Sequence, residues 1–422
     1  MALARHPIFG ALTYVAMVFL DPPSRWWGET LPDLRWSFLS AGIALVAIAI
    51  HRPQPHAIRL RQHFAYILLL ILLAYAVLQF PLALDVEEHK RFINYYFKFS
   101  IAIFLLYRSI DTEQHFKWFL GAYIAGCTYL AYVAFSSYEG GRFDSFGGSG
   151  IGDANAGALT LVTGIFLSAS MFLYGDKKLR ILLLFVVPFL INSLVMTVSR
   201  SGFLALAVGG LAFIFYTPRQ FKPRVIGLSV LGALGFLLLT NPFYWERMET
   251  VKYQGKDIAG VDTGGARRRL FFAQIKMFER NPLGCGHLCT EFLSPSYLPP
   301  QDLNVGTGRR ASHNTPLSLL VDHGVVGAGM YGLTLLWMFR NIRGLHKRAA
   351  ELSKLQAMLL PGIAASLAAL TISDQFVPNV SYELRFWLTT ILMLMLSFST
   401  RAAAASPKAA DPAGARPSPA PN

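Results

Sequence analysis

Residues 181–216 read ILLLFVVPFLINSLVMTVSRSGFLALAVGGLAFIFY. Two apolar runs, 181–198 and 202–216, are separated only by Ser199, Arg200 and Ser201. A helix rises about 1.5 Å per residue, so each run approaches the roughly 30 Å needed to cross the hydrocarbon core of a bilayer. The stretch reads as two membrane helices back to back. Arg200 is wedged between them and needs a partner, because an unpaired guanidinium at membrane depth is expensive.

Similar runs recur along the chain, near 6–20, 36–50, 64–84, 92–107, 116–135, 155–174, 225–240, 316–339, 356–373 and 384–400. The second and eighth runs are short for a span and call for tilt or local thinning of the bilayer. Composition agrees: of 422 residues, 54% are hydrophobic and only 15% charged, against roughly a quarter charged in a soluble protein. The expected fold is an all-α polytopic membrane protein of about twelve transmembrane helices. Its expected parts are helices 1–9 over 1–240, a long loop over 241–315, helices 10–12 over 316–400 and a disordered tail over 401–422, rich in Ala and Pro.

The net charge of +14 reads as basic flanks of cytoplasmic loops and not as a nucleic-acid footprint. With the amino terminus inside, the cytoplasmic segments carry about 20 Lys and Arg and the short loops opposite carry about 8. Both termini are then cytoplasmic and the long loop lies outside. The loop's own basic residues do not oppose this, since long loops escape the bias. The first apolar run lacks a small-residue cleavage signature and reads as a retained helix. Cys127 lies in an apolar run. Cys285 and Cys289 are four apart in CGHLC, with only His287 nearby. That is too few ligands for an ordinary zinc site, and a local disulfide is open if the loop is extracytoplasmic.

Arginines mark the outer side: Arg142 in GRFDSFGGSG, Arg200 in TVSRSG, Arg267, Arg268 and Arg269 in GGARRRLFF, and Arg309 and Arg310 before SHN. From about Ala266 the chain reads as a helix, with Phe271, Ile275 and Phe278 at i, i+4 and i+7 and Pro282 stopping it. Three arginines in the first turn oppose the positive end of the helix dipole. An anion would relieve that conflict, and arginine forks and free helix N–H groups both suit phosphate. His313 sits just before a span, beside Asn314. A near-neutral imidazole there could take a hydroxyl proton; the bland alternative is an interfacial histidine that caps a helix. There is no phosphate-binding G-x-x-x-x-G-K-[ST] loop for ATP-driven transport, and no outer Asp-x-Asp for Mg²⁺. Outside the cytoplasmic membrane there is no nucleotide pool, so a transferase there must draw its donor from a lipid carrier.

Several short motifs occur in a fixed order: Asp153-Ala154-Asn155 after a Gly-rich loop, Thr197 through Gly202 between two spans, Arg267 through Phe271, Asn281 through Gly286, Ser312-His313-Asn314, and Asp322-His323-Gly324. In order and spacing about the long loop, this set resembles the O-antigen ligase family of the wider ligase and polymerase superfamily. The resemblance implies a multi-pass glycosyltransferase of the bacterial inner membrane with its active site facing the periplasm. Such an enzyme moves an O-antigen polysaccharide from an undecaprenyl diphosphate donor to a lipid A–core acceptor, with inversion and with neither metal nor cofactor. It implies essential residues at Arg200, Arg267 and His313. The expected diphosphate-binding set is Arg142, Asn155, Arg200, Arg267, Arg268, Arg269 and Arg310, with His313 catalytic. The triplet leaves open which of its arginines meets phosphate. Phe271 stands where the family often has Trp, and Cys285 where it has a small aliphatic residue. Three other readings use the same features: a polymerase with the same donor, a protein O-oligosaccharyltransferase, and a lipid-linked sugar transporter or flippase. The last favours repeats, broken helices and mid-membrane charges, none of which the sequence displays.

Overall fold

Each of the twelve apolar stretches is helical. In the computed structural model, which describes residues 1–32, 34–148, 151–240, 245 and 265–405, they form α1 Ile8–Leu20, α2 Trp36–His51, α3 Phe64–Leu78, α4 Val86–Ser109, α5 Glu113–Ser136, α6 Ala154–Tyr174, α7 Lys177–Met196, α8 Arg200–Tyr216, α9 Lys222–Leu239, α12 Thr315–Lys347, α13 Lys354–Ser373 and α14 Leu384–Ala405. Two further helices, α10 Gly265–Arg280 and α11 Cys289–Tyr297, belong to the long loop. No strand occurs among the described residues. Most of 241–264 lies outside them, as does the tail after 405 that was expected to be disordered.

Six stretches are long and apolar enough to cross a membrane: Glu113–Ser136, Ala154–Tyr174, Lys177–Met196, Arg219–Leu238, Thr315–Lys347 and Lys354–Ser373. Four of the others, α1, α2, α3 and α8, fall short in length. The surface supports membrane immersion. Phe185, Leu211 and Leu238 are 75%, 70% and 86% exposed, a patchwork that water would not tolerate. The chain is a multi-pass membrane protein.

α13 packs most extensively on α8 and α6 at the centre. Small residues allow the close approach: a Cβ on Gly209 would meet the Phe166 ring and the Ala365 carbonyl, and one on Gly362 would meet Ser170. Without a hydrophobic drive between helices in lipid, such contacts supply the packing.

The connecting segments sort into two ends. At one end Gly148 N–H donates to Asp21 Oδ2 (2.8 Å), Phe143 N–H to the Met196 carbonyl (2.9 Å), Leu84 N–H to the Cys285 carbonyl (2.9 Å) and Thr315 N–H to the Asp374 carbonyl (2.7 Å). At the other, Gln54 N–H donates to Asp111 Oδ2 (3.0 Å), Arg401 to the Asp111 carbonyl (3.2 Å) and Gln356 to Glu113 (3.3 Å). The first end holds Arg200 and His313.

One expectation needs correction. No broken helix was anticipated, yet α12 is interrupted at Gly324, with φ +61° and ψ −157°. The loop before α11 repairs the break. Gly286 N–H donates to the Asp322 carbonyl (2.9 Å), and Val325 N–H to the Pro282 carbonyl (3.1 Å). Gln79 Nε2 donates to the Leu283 and Asp322 carbonyls (2.8 and 2.9 Å). Backbone groups freed at a break in apolar surroundings must be satisfied in this way. A Cβ on Gly324 would lie 2.3 Å from the Pro282 carbonyl oxygen, so both the positive φ and the close packing require glycine. A disulfide joins Cys285 and Cys289, which resolves the choice between disulfide and metal at this loop.

Candidate active site

Between α7 and α8 the chain turns through Val198, which adopts a left-handed φ of +46°. Ser199 then caps α8, accepting Gly202 N–H (3.1 Å). Its hydroxyl donates to Asn155 Oδ1 (2.8 Å), and the Ser201 hydroxyl donates to the same oxygen (3.3 Å). Asn155 stands at the start of α6, which Asp153 caps through Asn155 N–H (2.7 Å) and Ala156 N–H (3.2 Å). Its amide thus braces the arginine-bearing turn. Arg200 opens α8 half-buried and does not lack a partner. Arg142 is half-buried in the segment that bonds to Met196 through Phe143. Asn155 and the residue after Arg142 thus both bond to the segment 196–201 that carries Arg200.

The arginine triplet occupies the first turn of α10 as expected, but its members differ. Arg269 grips Asp302 with both arms of its fork, at 2.5 and 2.7 Å. That hydrogen-bonded guanidinium holds the Asp302 carboxyl below the usual range, with Arg310 adding to it, although burial pulls the other way. Arg310 donates to the Asp302 carbonyl (3.0 Å), and its N–H donates to Ser294 (2.7 Å). Arg309 lies 4.0 Å from the Phe292 ring centre. Arg269, Arg309 and Arg310 thus hold the loop together. Arg268 is exposed and Arg267 half-buried. The buried face of α10 is Leu270, Ala273, Gln274 and Met277, while Phe271 and Phe272 are exposed. The face expected through Phe271 is displaced by about one residue.

Gln274 of that face donates to Ser312 (2.9 Å), which couples α10 to the neighbour of His313. His313 is half-buried and has interactions of its own. The helix-capping role falls to Asn314, whose Oδ1 accepts Leu317 N–H (2.9 Å). Asn314 also donates to the Gln375 carbonyl (3.1 Å). Beneath it is a polar cluster that the sequence reading missed. Asp374 accepts from Arg385 (2.7 Å), Tyr331 (2.9 Å) and Asn379 (3.1 Å). From there the chain runs to Tyr382, which donates to the Ala156 carbonyl (2.8 Å), one residue beyond Asn155. Hydrogen-bonded segments thus connect His313 to the Asn155–Arg200 turn. An arginine near the start of an apolar stretch, SYELRFW, was the available signal for Arg385.

Two helices therefore carry arginine in the first turn at the end that also holds the half-buried His313. Residues 183–332 match the family model described as O-antigen ligase. The match spans roughly a third of the chain, and this region is similar to the O-antigen ligase family. No curated protein matches the chain. The matched region contains Arg200, the α10 triplet, Arg310, His313 and the Gly324 break, whereas Arg142 and Asn155 precede it. The two motifs around the break, Asn281 through Gly286 and Asp322 through Gly324, are brought into backbone contact within that same region.

Proposed function

We propose that the protein is an O-antigen ligase in the strict sense. It takes a polysaccharide from undecaprenyl diphosphate and joins it to a hydroxyl of the lipid A–core oligosaccharide, at the periplasmic face of the inner membrane. All twelve apolar helices span, both termini are cytoplasmic, and 241–315 faces the periplasm. The excess of basic residues on the opposite short loops and the Cys285–Cys289 disulfide support that orientation.

The observation that carries the reading is the placement of His313: a half-buried imidazole next to the Asn314 cap, at the end where α8 and α10 carry arginine in their first turns. In the reaction His313 accepts the proton of the acceptor hydroxyl. The oxygen attacks the anomeric carbon, the bond from that carbon to the diphosphate oxygen breaks, and its electron pair leaves on the diphosphate. Arg200 and Arg267 stabilise the departing charge, with Arg268 and Arg142 at the margin, while Asn155 holds the Arg200 turn. Preorganised cations aimed at developing charge are the main source of such catalysis. The reaction runs without metal or inorganic cofactor.

The test is turnover by purified protein with lipid-linked donor and lipid A–core, with EDTA present throughout. Ladder lipopolysaccharide is the expected product. Longer chains left on the carrier lipid would replace the ligase with a polymerase, and loss of turnover in EDTA would end the metal-free scheme.

A further inference from the structure

At the end of the bundle remote from His313, three side chains converge that the transfer reaction does not use. His6 lies just before α1, Asp111 in the α4–α5 turn and His115 in the first turn of α5. Asp111 presents one oxygen to each imidazole: Oδ2 is 3.4 Å from His6 Nε2, and Oδ1 is 2.7 Å from His115 Nδ1. The two rings stand 4.4 Å apart. One ligand atom from each residue can be chosen so that all three lie within 4.8 Å of one another. The site is empty.

We propose that His6, Asp111 and His115 bind one divalent transition-metal ion, with Zn²⁺ as the chemistry they fit best. Two imidazole nitrogens and one carboxylate oxygen, with a water molecule as the fourth ligand, make a tetrahedral Zn²⁺ site, and Mg²⁺ or Ca²⁺ would want more oxygens. Tetrahedral ligand atoms at about 2.0–2.2 Å from the ion stand roughly 3.3 Å from each other. The His6–Asp111 edge already has that length, and rotation of two half-buried rings supplies the rest. Asp111 is buried, at 3% exposure. Burial alone would raise its pKa, but hydrogen bonds from His115 and the Gln54 N–H, with His6 beside them, hold it below the usual carboxylate range. As the ion takes His115 Nδ1, the hydrogen bond to Asp111 gives way and the imidazole proton moves to Nε2, so the ring stays neutral.

The site would act as a clasp. Asp111 already holds the α2–α3 connection through Gln54 and the end of α14 through Arg401. An ion shared with His6 would lock the start of α1 onto the same point. Its role is structural and independent of the transferase reading: removing the ion lowers stability and leaves turnover below the melting temperature unchanged.

The experiment uses untagged, full-length protein in detergent, stripped with EDTA and titrated with Zn²⁺ against a chromogenic chelator. One ion per chain is expected, with a higher Tm on binding. His6→Gln and His115→Gln should each weaken binding by roughly tenfold or more, since even outer-shell losses cost that much, and should abolish the rise in Tm. Substituting the nearby His51 and His56 by Gln should change neither readout. Co²⁺ bound to the wild-type protein should give the intense visible absorption of a four-coordinate ion, which does not depend on any variant folding. Absence of that spectrum, or Zn²⁺ binding of wild-type strength in the His6→Gln/His115→Gln double variant, would overturn the proposal.

Discussion

α7 and α8 are sequence neighbours, and both begin with basic residues. α7 starts with Lys177 and Lys178, both exposed, after an Asp176 cap that accepts Leu179 N–H (2.9 Å). α8 starts with Arg200, half-buried, after the neutral cap Ser199. Cations are unfavourable at both helix N-termini. At α7 the conflict is dissolved by solvent and by the aspartate. At α8 neither relief is present in the cap itself, and the arginine stands on a turn braced from α6 by Asn155. The same residue type at the same helix position is a solvated flank in one place and a held cation in the other. What separates them is burial and bracing, which composition does not report.

The strongest attempt to break this contrast removes the imidazole that gives the α8 end its chemistry. A general base contributes about 10²–10⁴-fold, so His313→Ala should lose most turnover while still binding the lipid-linked donor. His313→Gln should not restore it, because an amide hydrogen-bonds but cannot accept the proton. Turnover of His313→Gln within a few-fold of wild type would reduce the residue to positioning substrate.

The next largest effect tests the contrast directly. Arg200→Lys keeps the charge and loses the planar fork. A charged hydrogen bond to phosphate is worth roughly 1.5–3 kcal/mol, about ten- to a hundredfold in rate. Lys178→Ala at the α7 start should leave turnover unchanged. Equal responses of the two variants would mean that Arg200 is merely another flanking cation.

Much of this was legible in the sequence. The apolar runs located each long helix, because length and the absence of charge are direct requirements of the bilayer. The chemistry of arginine and histidine marked His313 and Arg200, but their bracing was not visible. Arg269 and Asp302 are 33 residues apart and Asp374 and Arg385 eleven apart, and nothing local announces either pair. The face of α10 was displaced for a physical reason. A periodic apolar stripe marks the buried side only when water lies opposite, whereas beside lipid Phe271 and Phe272 can face outward. The break in α12 was hidden because Gly324 lies in an otherwise helical run, and only the loop packed on it explains the positive φ.

The smallest effect is expected at the end opposite His313, where a substitution should change stability and not chemistry. Glu113 lies in the first turn of α5 and accepts from the Ser353 hydroxyl (2.5 Å) and from Gln356 (3.3 Å). Ser353 in turn caps α13 through Gln356 N–H (3.3 Å). Glu113→Gln keeps the shape of the side chain and removes its charge. Because Glu113 is half-exposed, the loss should be modest, about 1 kcal/mol, visible as a slightly lower Tm with turnover at 25 °C within twofold of wild type. The informative failure is the reverse outcome: turnover falling about tenfold, or 1.4 kcal/mol, with Tm unchanged. α13 is the element that would carry such coupling. Its Ser353 end binds Glu113, and just past its other end Asp374 accepts the Thr315 N–H two residues from His313. In that case the two ends would not be separable, and the half-buried cations of α8 would be answering to the whole helix and not to a local ligand.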